Sequence, residues 1–265
     1  MTERIRFEHA GDVGSIVVDA PPLNLFGEGM GEELVSALDQ AEAAGLRALV
    51  IRAEGKVFTG GVDVQIFEGL DAADAESLAQ ELLAITRRVE DLPFPTISSV
   101  AGLCLTWGFE LSLACDLIWA ADSARFGLVE RVVGITPFMG GVQRVTERAG
   151  PARARELVMT GELYAADTLR QWGVINRVVA LAELPDQTQA LARGLAAGPT
   201  QAMSRPSGSS APRSTRAPEQ PTSAPRRSPA RCSTPRMRRE RSGLSSRKAR
   251  ARPRSRAADP LRVGA

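Results

Sequence analysis

Apolar and polar positions change period several times along the first 200 residues, and each change marks an element. Ile5 to Ala10 and Ser15 to Asp19 read as short strands around the turn Gly11-Asp12-Val13-Gly14. Pro21-Pro22-Leu23-Asn24 breaks the pattern. Glu28 to Ala44 then places Leu34, Val35, Leu38 and Ala41 at helical spacing, with Gly45 as the stop. Ala48-Leu49-Val50-Ile51 is apolar at every position, as expected for a strand covered on both faces. Ala75 to Asp91 predicts a second helix, closed by Pro93 and Pro95. Thr96 to Val100 predicts a strand, Phe109 to Cys115 a buried helix and Asp116 to Ala121 another strand. Helical patterns follow at Gly141 to Arg148, Pro151 to Thr160 and Ala165 to Trp172. A short strand at Ile175 to Val179 precedes a helix near Leu184 to Ala197. Strands alternating with helices predict an α/β fold with largely parallel pairing.

Three glycine-punctuated stretches interrupt this alternation. Phe58-Thr59-Gly60-Gly61-Val62-Asp63-Val64 follows a predicted strand, where a glycine pair lets a ligand approach peptide N–H groups. Ala101 to Leu111 contains Trp107 and Glu110. Phe126-Gly127-Leu128-Val129-Glu130 leads to Gly134, Pro137, Gly140-Gly141 and Gln143-Arg144. Glu110 and Glu130 lie in apolar runs, where a carboxylate is costly to bury. Two such acids suggest a general acid/base pair. Taken alone, Glu110 also reads as a helix-start carboxylate interacting with backbone N–H groups, and Glu130 as a surface acid. Asp63 and Asp116 are expected to cap or pair, and His9 and Cys104 to be structural.

Composition removes several function classes. His9 is the only histidine, which argues against histidine-based triads and multi-histidine metal sites. Cys104, Cys115 and Cys232 have no metal-ligand or disulfide spacing, as expected for a reducing cytoplasm. No Gly-x-x-x-x-Gly-Lys loop occurs, no Gly-x-Gly-x-x-Gly follows a strand, and no apolar run is long enough for a membrane span. The N-terminus lacks a signal-peptide pattern. The net charge of +2 hides two unlike segments. Residues 201–265 hold 17 of the 33 Lys and Arg, 3 of the 31 Asp and Glu, and nine of the 17 prolines, a local net charge of +14 against −12 before them. Residues 1–199 are therefore expected to form the folded core. Residues 200–265, rich in Arg, Ser, Pro and Ala, are expected to be disordered. Such text is also what an out-of-frame reading of a GC-rich gene yields. With no aromatic residue to stack bases, the basic segment is expected to bind no specific nucleic acid.

Together the three stretches, in this order and spacing, resemble the crotonase superfamily, the enoyl-CoA hydratase/isomerase family, over residues 1–199. The resemblance implies a spiral of ββα repeats and assembly as a homotrimer or dimer of trimers. It implies an oxyanion hole made by the Val62 and Trp107 backbone N–H groups around an acyl-CoA thioester oxygen. Gly60, Val62 and Val64 would hold the CoA moiety. Glu110 and Glu130 would be catalytic, favouring hydration of a trans-2-enoyl-CoA over an isomerase or other lyase reaction, or an inactive member with impaired assembly. Coenzyme A is then part of the substrate, and neither metal nor other cofactor is expected. The family usually carries a small residue, often glycine, where this chain has Trp107. The indole must find space, and a positive φ there would add strain of about 1–3 kcal/mol.

Overall fold

The computed structural model describes residues 3–200. The expectations of disorder and of a frameshift beyond Thr200 lie outside the described residues. In chain order the elements are β1 (Ile5–Ala10), β2 (Val13–Val18), α1 (Met30–Ala43), β3 (Ala48–Ala53), α2 (Ala72–Glu90), β4 (Thr96–Val100), β5 (Leu103–Leu105), α3 (Thr106–Ala114), β6 (Leu117–Ala121), β7 (Arg125–Gly127), α4 (Gly141–Ala149), α5 (Pro151–Thr160), β8 (Tyr164–Ala165), α6 (Ala166–Gln171), β9 (Arg177–Val179) and α7 (Leu184–Ala197). One sheet has the order β1-β2-β3-β4-β6-β9. A second, smaller sheet has the order β5-β7-β8. Only β1–β2 in the first sheet and β7–β8 in the second pair antiparallel.

The chain builds both sheets by one repeated path: a strand in the large sheet, a strand in the small sheet, then a helix. It runs so in β4-β5-α3 and in β6-β7-α4. A reduced version follows β3, where Thr59 makes a single parallel bridge to Cys104 of β5 before α2. The large sheet is apolar on both faces for the reason the β3 pattern predicts. Leu49 and Ile51 face the main core with Ile16, Val18 and the α1 residues Leu34 and Leu38. Ala48 and Val50 face the other way, against Ala192 and Ala196 of α7.

Helix α2 shows how local chemistry sets an element's ends. The Asp71 carboxylate accepts from the N–H groups of Ala73 and Asp74, satisfying two of the donors a helix start leaves unpaired. Arg87 and Arg88 sit in the last turn, where cations oppose the helix dipole. Leu82, Ile85, Thr86 and Val89 form its buried stripe. This cap starts the helix three residues before the expected Ala75, because capping by Asp71 outweighs the weak apolar pattern there.

Other boundaries move as well, and one of them matters for function. Val13 belongs to β2, so the β1–β2 turn is tighter than the sequence suggests. The third helix begins at Thr106 rather than Phe109, and all nine of its residues are buried. The earlier start puts Trp107 in the first turn, where N–H groups have no intrahelical acceptor. No helix among the described residues is long and apolar enough to cross a membrane.

Candidate active site

The site forms where α3, the loop after β3 and the segment between β7 and α4 converge. A cavity there is lined by Phe26, Val62, Leu82, Thr106, Trp107, Glu110, Glu130, Ile135, Phe138 and Met139. It measures about 10 Å³, near the lower limit for one water molecule. The two candidate acids and both candidate amides therefore meet in one place. Gly60 and Val64 do not join them. The Gly60 N–H donates to the Leu23 carbonyl at 2.7 Å, and Val64 is exposed in the turn Val64–Phe67 beside the cavity.

Glu110 is buried on α3 and held at one oxygen. Its Oε1 accepts from the N–H groups of Met139 at 3.0 Å and Gly141 at 2.8 Å. Gly141 opens α4, so the carboxylate does interact with a helix start, but that of another helix 31 residues downstream. A side chain at Gly141 would not fit, since a Cβ there would lie 2.7 Å from Glu110 Cγ and 2.9 Å from Oε1. The backbone of Met139 is fixed in turn. Its carbonyl accepts from Thr86 Oγ1 at 2.7 Å and from Arg144, whose guanidinium is bidentate to Glu90 at 2.9 and 2.7 Å.

Glu130 has the opposite setting. It is 4% exposed at the start of the turn Glu130–Val133, and neither carboxyl oxygen has a hydrogen-bond partner among the described residues. Burial pushes its carboxyl up to about 7. Glu110 is pushed up to about 8, first by burial and then by the nearby Glu130, against the opposing pull of the Gly141 and Met139 N–H groups and Arg144. With both carboxyls raised, the pair is proton-bearing at neutral pH. An arrangement with one proton to give and one carboxylate to receive suits acid/base transfer.

The amides are presented by the backbone. Val62 bridges Phe26 in parallel, so the bonds fall on its neighbours: the Phe26 N–H donates to Gly61 and the Asp63 N–H donates to Phe26. The Val62 N–H points away from that ladder and has no acceptor among the described residues. Gly61 takes a φ of 115°, which only glycine adopts without strain. Asp63 caps the turn that follows by accepting from the Gln65 N–H at 3.1 Å, as its structural reading expects. Asp116 likewise accepts from the N–H and hydroxyl of Thr96.

Trp107 finds its space, and the strain falls elsewhere. The ring is 1% exposed and packs against Phe26 at a centroid distance of 5.2 Å. Its indole N–H donates to Thr59 Oγ1 at 2.8 Å. The same hydroxyl accepts from the Gly61 N–H at 2.9 Å and lies 2.7 Å from the Asn24 carbonyl, to which it donates. Thr59 thus ties the loop that carries one amide to the side chain of the residue that carries the other. The positive φ belongs to Thr106, at 45°, and not to Trp107.

Thr59 and Arg144 stand in the stretches above without a role of their own, and Thr86 and Glu90 are not singled out there. Each acts through a contact to residues at least 48 positions distant or to a peptide group, and no local spacing signals that. Among the described residues no group of three or more His, Cys, Asp and Glu side chains could hold a metal ion. Beside the cavity, and sharing Phe26 and Leu82 with it, a groove of about 940 Å³ runs between α1 and α2.

Comparison with known proteins gives one answer. Residues 8–220 match the enoyl-CoA hydratase/isomerase family, a span that passes the compositional boundary at 199. A carnitinyl-CoA dehydratase from Salmonella enteritidis PT4 is 36% identical over 200 residues, covering 74% of this chain and 75% of the relative. The solved structure of enoyl-CoA hydrates subunit I from Geobacillus kaustophilus HTA426 is 36% identical, with a TM-score of 0.71 over 76% of this chain and 78% of that one. The enoyl-CoA hydratase from Bacillus anthracis is 30% identical, with a TM-score of 0.69 over 74% and 77%. A fold of strand–strand–helix units, a cavity holding two buried glutamates and a family match over most of the chain agree: this protein belongs to the enoyl-CoA hydratase/isomerase family of the crotonase superfamily.

Proposed function

We propose that the protein is an enoyl-CoA hydratase, adding water syn across a trans-2-enoyl-CoA to give a 3-hydroxyacyl-CoA. The observation that carries this reading is the pair of buried carboxyls in one cavity, one pinned and one unpartnered. The thioester oxygen is held by the Val62 and Trp107 N–H groups, which stabilise the negative charge it gains as the oxygen of water attacks C3. Glu110, oriented through Oε1, holds the water and receives one of its protons. Glu130 supplies a proton to C2. The proton left on Glu110 then returns to Glu130, so the net addition is one water across C3 and C2, the pair is reset, and no further cofactor is consumed. Gly60, Val62 and Val64 are proposed to hold the CoA moiety, and the assembly is proposed to be a homotrimer or a dimer of trimers.

Crotonyl-CoA is the direct test. Loss of the conjugated double bond with formation of 3-hydroxybutyryl-CoA supports hydration. Conversion of a 3-enoyl-CoA to its 2-enoyl isomer without hydration of crotonyl-CoA would favour an isomerase instead.

A second reading concerns the acyl group and follows from the groove. Glu28, Glu32, Asp63 and Glu81 line it without ion-pair partners among the described residues, whereas Asp39 pairs with Arg88 at 2.6 Å. An acidic groove joined to the site suits a cationic acyl group such as that of carnitinyl-CoA, the compound named for the 36%-identical relative. Comparing kcat/KM for dehydration of carnitinyl-CoA and of 3-hydroxybutyryl-CoA decides it, and a preference for the uncharged thioester rejects it.

A further inference from the structure

Thr106 departs from ordinary behaviour in two independent ways at one point. Its φ of 45° is a backbone region that β-branched residues rarely occupy, and a glycine there would carry no strain. Its Oγ1 is buried and has no hydrogen-bond partner among the described residues, although the residue is 93% buried. An unmade hydrogen bond and a strained backbone both destabilise the fold. The location offers an explanation for both. Thr106 lines the cavity with Glu110, Glu130, Val62 and Trp107. Its hydroxyl faces the loop that leads to Val62, since a Cβ built on Gly61 would lie 3.3 Å from Oγ1. The peptide that follows Thr106 carries the Trp107 N–H. The hydroxyl is therefore flanked by the two amides assigned to the thioester oxygen.

We infer that the Thr106 hydroxyl is a substrate-contacting group, a third donor to the thioester oxygen beside the Val62 and Trp107 amides. This rests on the oxyanion reading proposed above. A threonine hydroxyl has one proton to donate, and an oxygen drawn to two flanking N–H groups comes within its reach. The left-handed turn is what aims this side chain into the cavity instead of along α3. The bond strengthens as the oxygen gains negative charge, so it acts on turnover more than on binding.

The experiment reads the carbonyl directly. Bound butyryl-CoA, labelled with carbon-13 at the thioester carbon, is followed by difference infrared spectroscopy in wild type, Thr106→Val, Thr106→Ala, Thr106→Ser and Thr106→Gly, beside crotonyl-CoA kinetics and thermal midpoints. In wild type the carbonyl stretch moves to lower frequency on binding. Thr106→Val and Thr106→Ala keep only part of that shift and lose roughly ten- to a hundredfold in kcat with KM little changed. Thr106→Ser, which keeps the hydroxyl, recovers most of both. Thr106→Gly raises the thermal midpoint while lowering kcat, a pairing that a merely structural residue would not give. A wild-type carbonyl shift and kcat in Thr106→Ala, or in Thr106→Val if it alone folds, overturns the inference and leaves the amide pair standing. No shift in wild type removes the oxyanion reading, and this inference with it.

Discussion

Glu110 and Glu130 share a cavity and a residue type, yet their surroundings are opposites. Glu110 is gripped: two peptide N–H groups meet at one of its oxygens, and a buried Arg144–Glu90 pair and Thr86 hold the carbonyl of Met139, the residue that supplies one of them. Glu130 is enclosed, and no other residue among those described donates to it. The difference teaches that orientation and ionisation are set separately. Burial raises both carboxyls, Glu110 to about 8 and Glu130 to about 7, while the two N–H donors fix where Glu110 points and only partly offset its burial.

Removing either carboxyl is the strongest way to break the comparison. Glu110→Gln and Glu130→Gln should each lower kcat on crotonyl-CoA by roughly 10²- to 10⁴-fold. Full activity in either variant would remove that residue from the acid/base pair. Stability then separates the two. Glu110→Ala strands the Met139 and Gly141 N–H groups and should cost about 2–4 kcal/mol in denaturant unfolding at pH 4, where the carboxyl is largely protonated folded or unfolded, while an unchanged midpoint would show that the grip is not structural.

Glu130→Gln should act in the other direction, and only at higher pH. The folded-state value of about 7 lies above the ordinary 4.5, so the native state binds more protons than the unfolded chain between these values. Ionisable Glu130 therefore erodes stability as pH rises through that window. The erosion is complete above about pH 7 and absent near pH 4. The amide variant should gain about 1–3 kcal/mol over wild type at pH 8 and little at pH 4. A gain independent of pH would contradict the assigned burial cost.

The smallest effect sharpens the comparison at the amides. Thr59→Val removes the hydroxyl that joins the Trp107 indole to the Gly61 N–H and should lower kcat by roughly tenfold or more. Thr59→Ser should restore it. Equal losses in both variants would point to packing by the threonine methyl, not to its hydrogen bonds.

Much of this was legible in the chain. The unbroken apolar run Ala48 to Ile51 announced a strand covered on both faces, and α7 was expected over the residues it occupies. The candidate acids and amides were legible through three glycine-marked stretches whose order and spacing carry a family likeness. The small sheet was not. Its strands span Leu103–Leu105, Arg125–Gly127 and Tyr164–Ala165, too short to establish a period of two. The true start of α3 was hidden too, because Thr106 enters it through a backbone conformation that its residue type disfavours.

By itself the sequence determined the α/β alternation and which two acids stand in apolar runs. These depend on periodicity and composition, which act over a few residues at a time. Tertiary structure decided which acid is gripped and which is left bare, and that Trp107 anchors to Thr59 while Thr106 carries the strain. Each of those outcomes is a contact across tens of residues or an angle forced by such contacts. Only the assembled fold brings the partners within hydrogen-bonding distance.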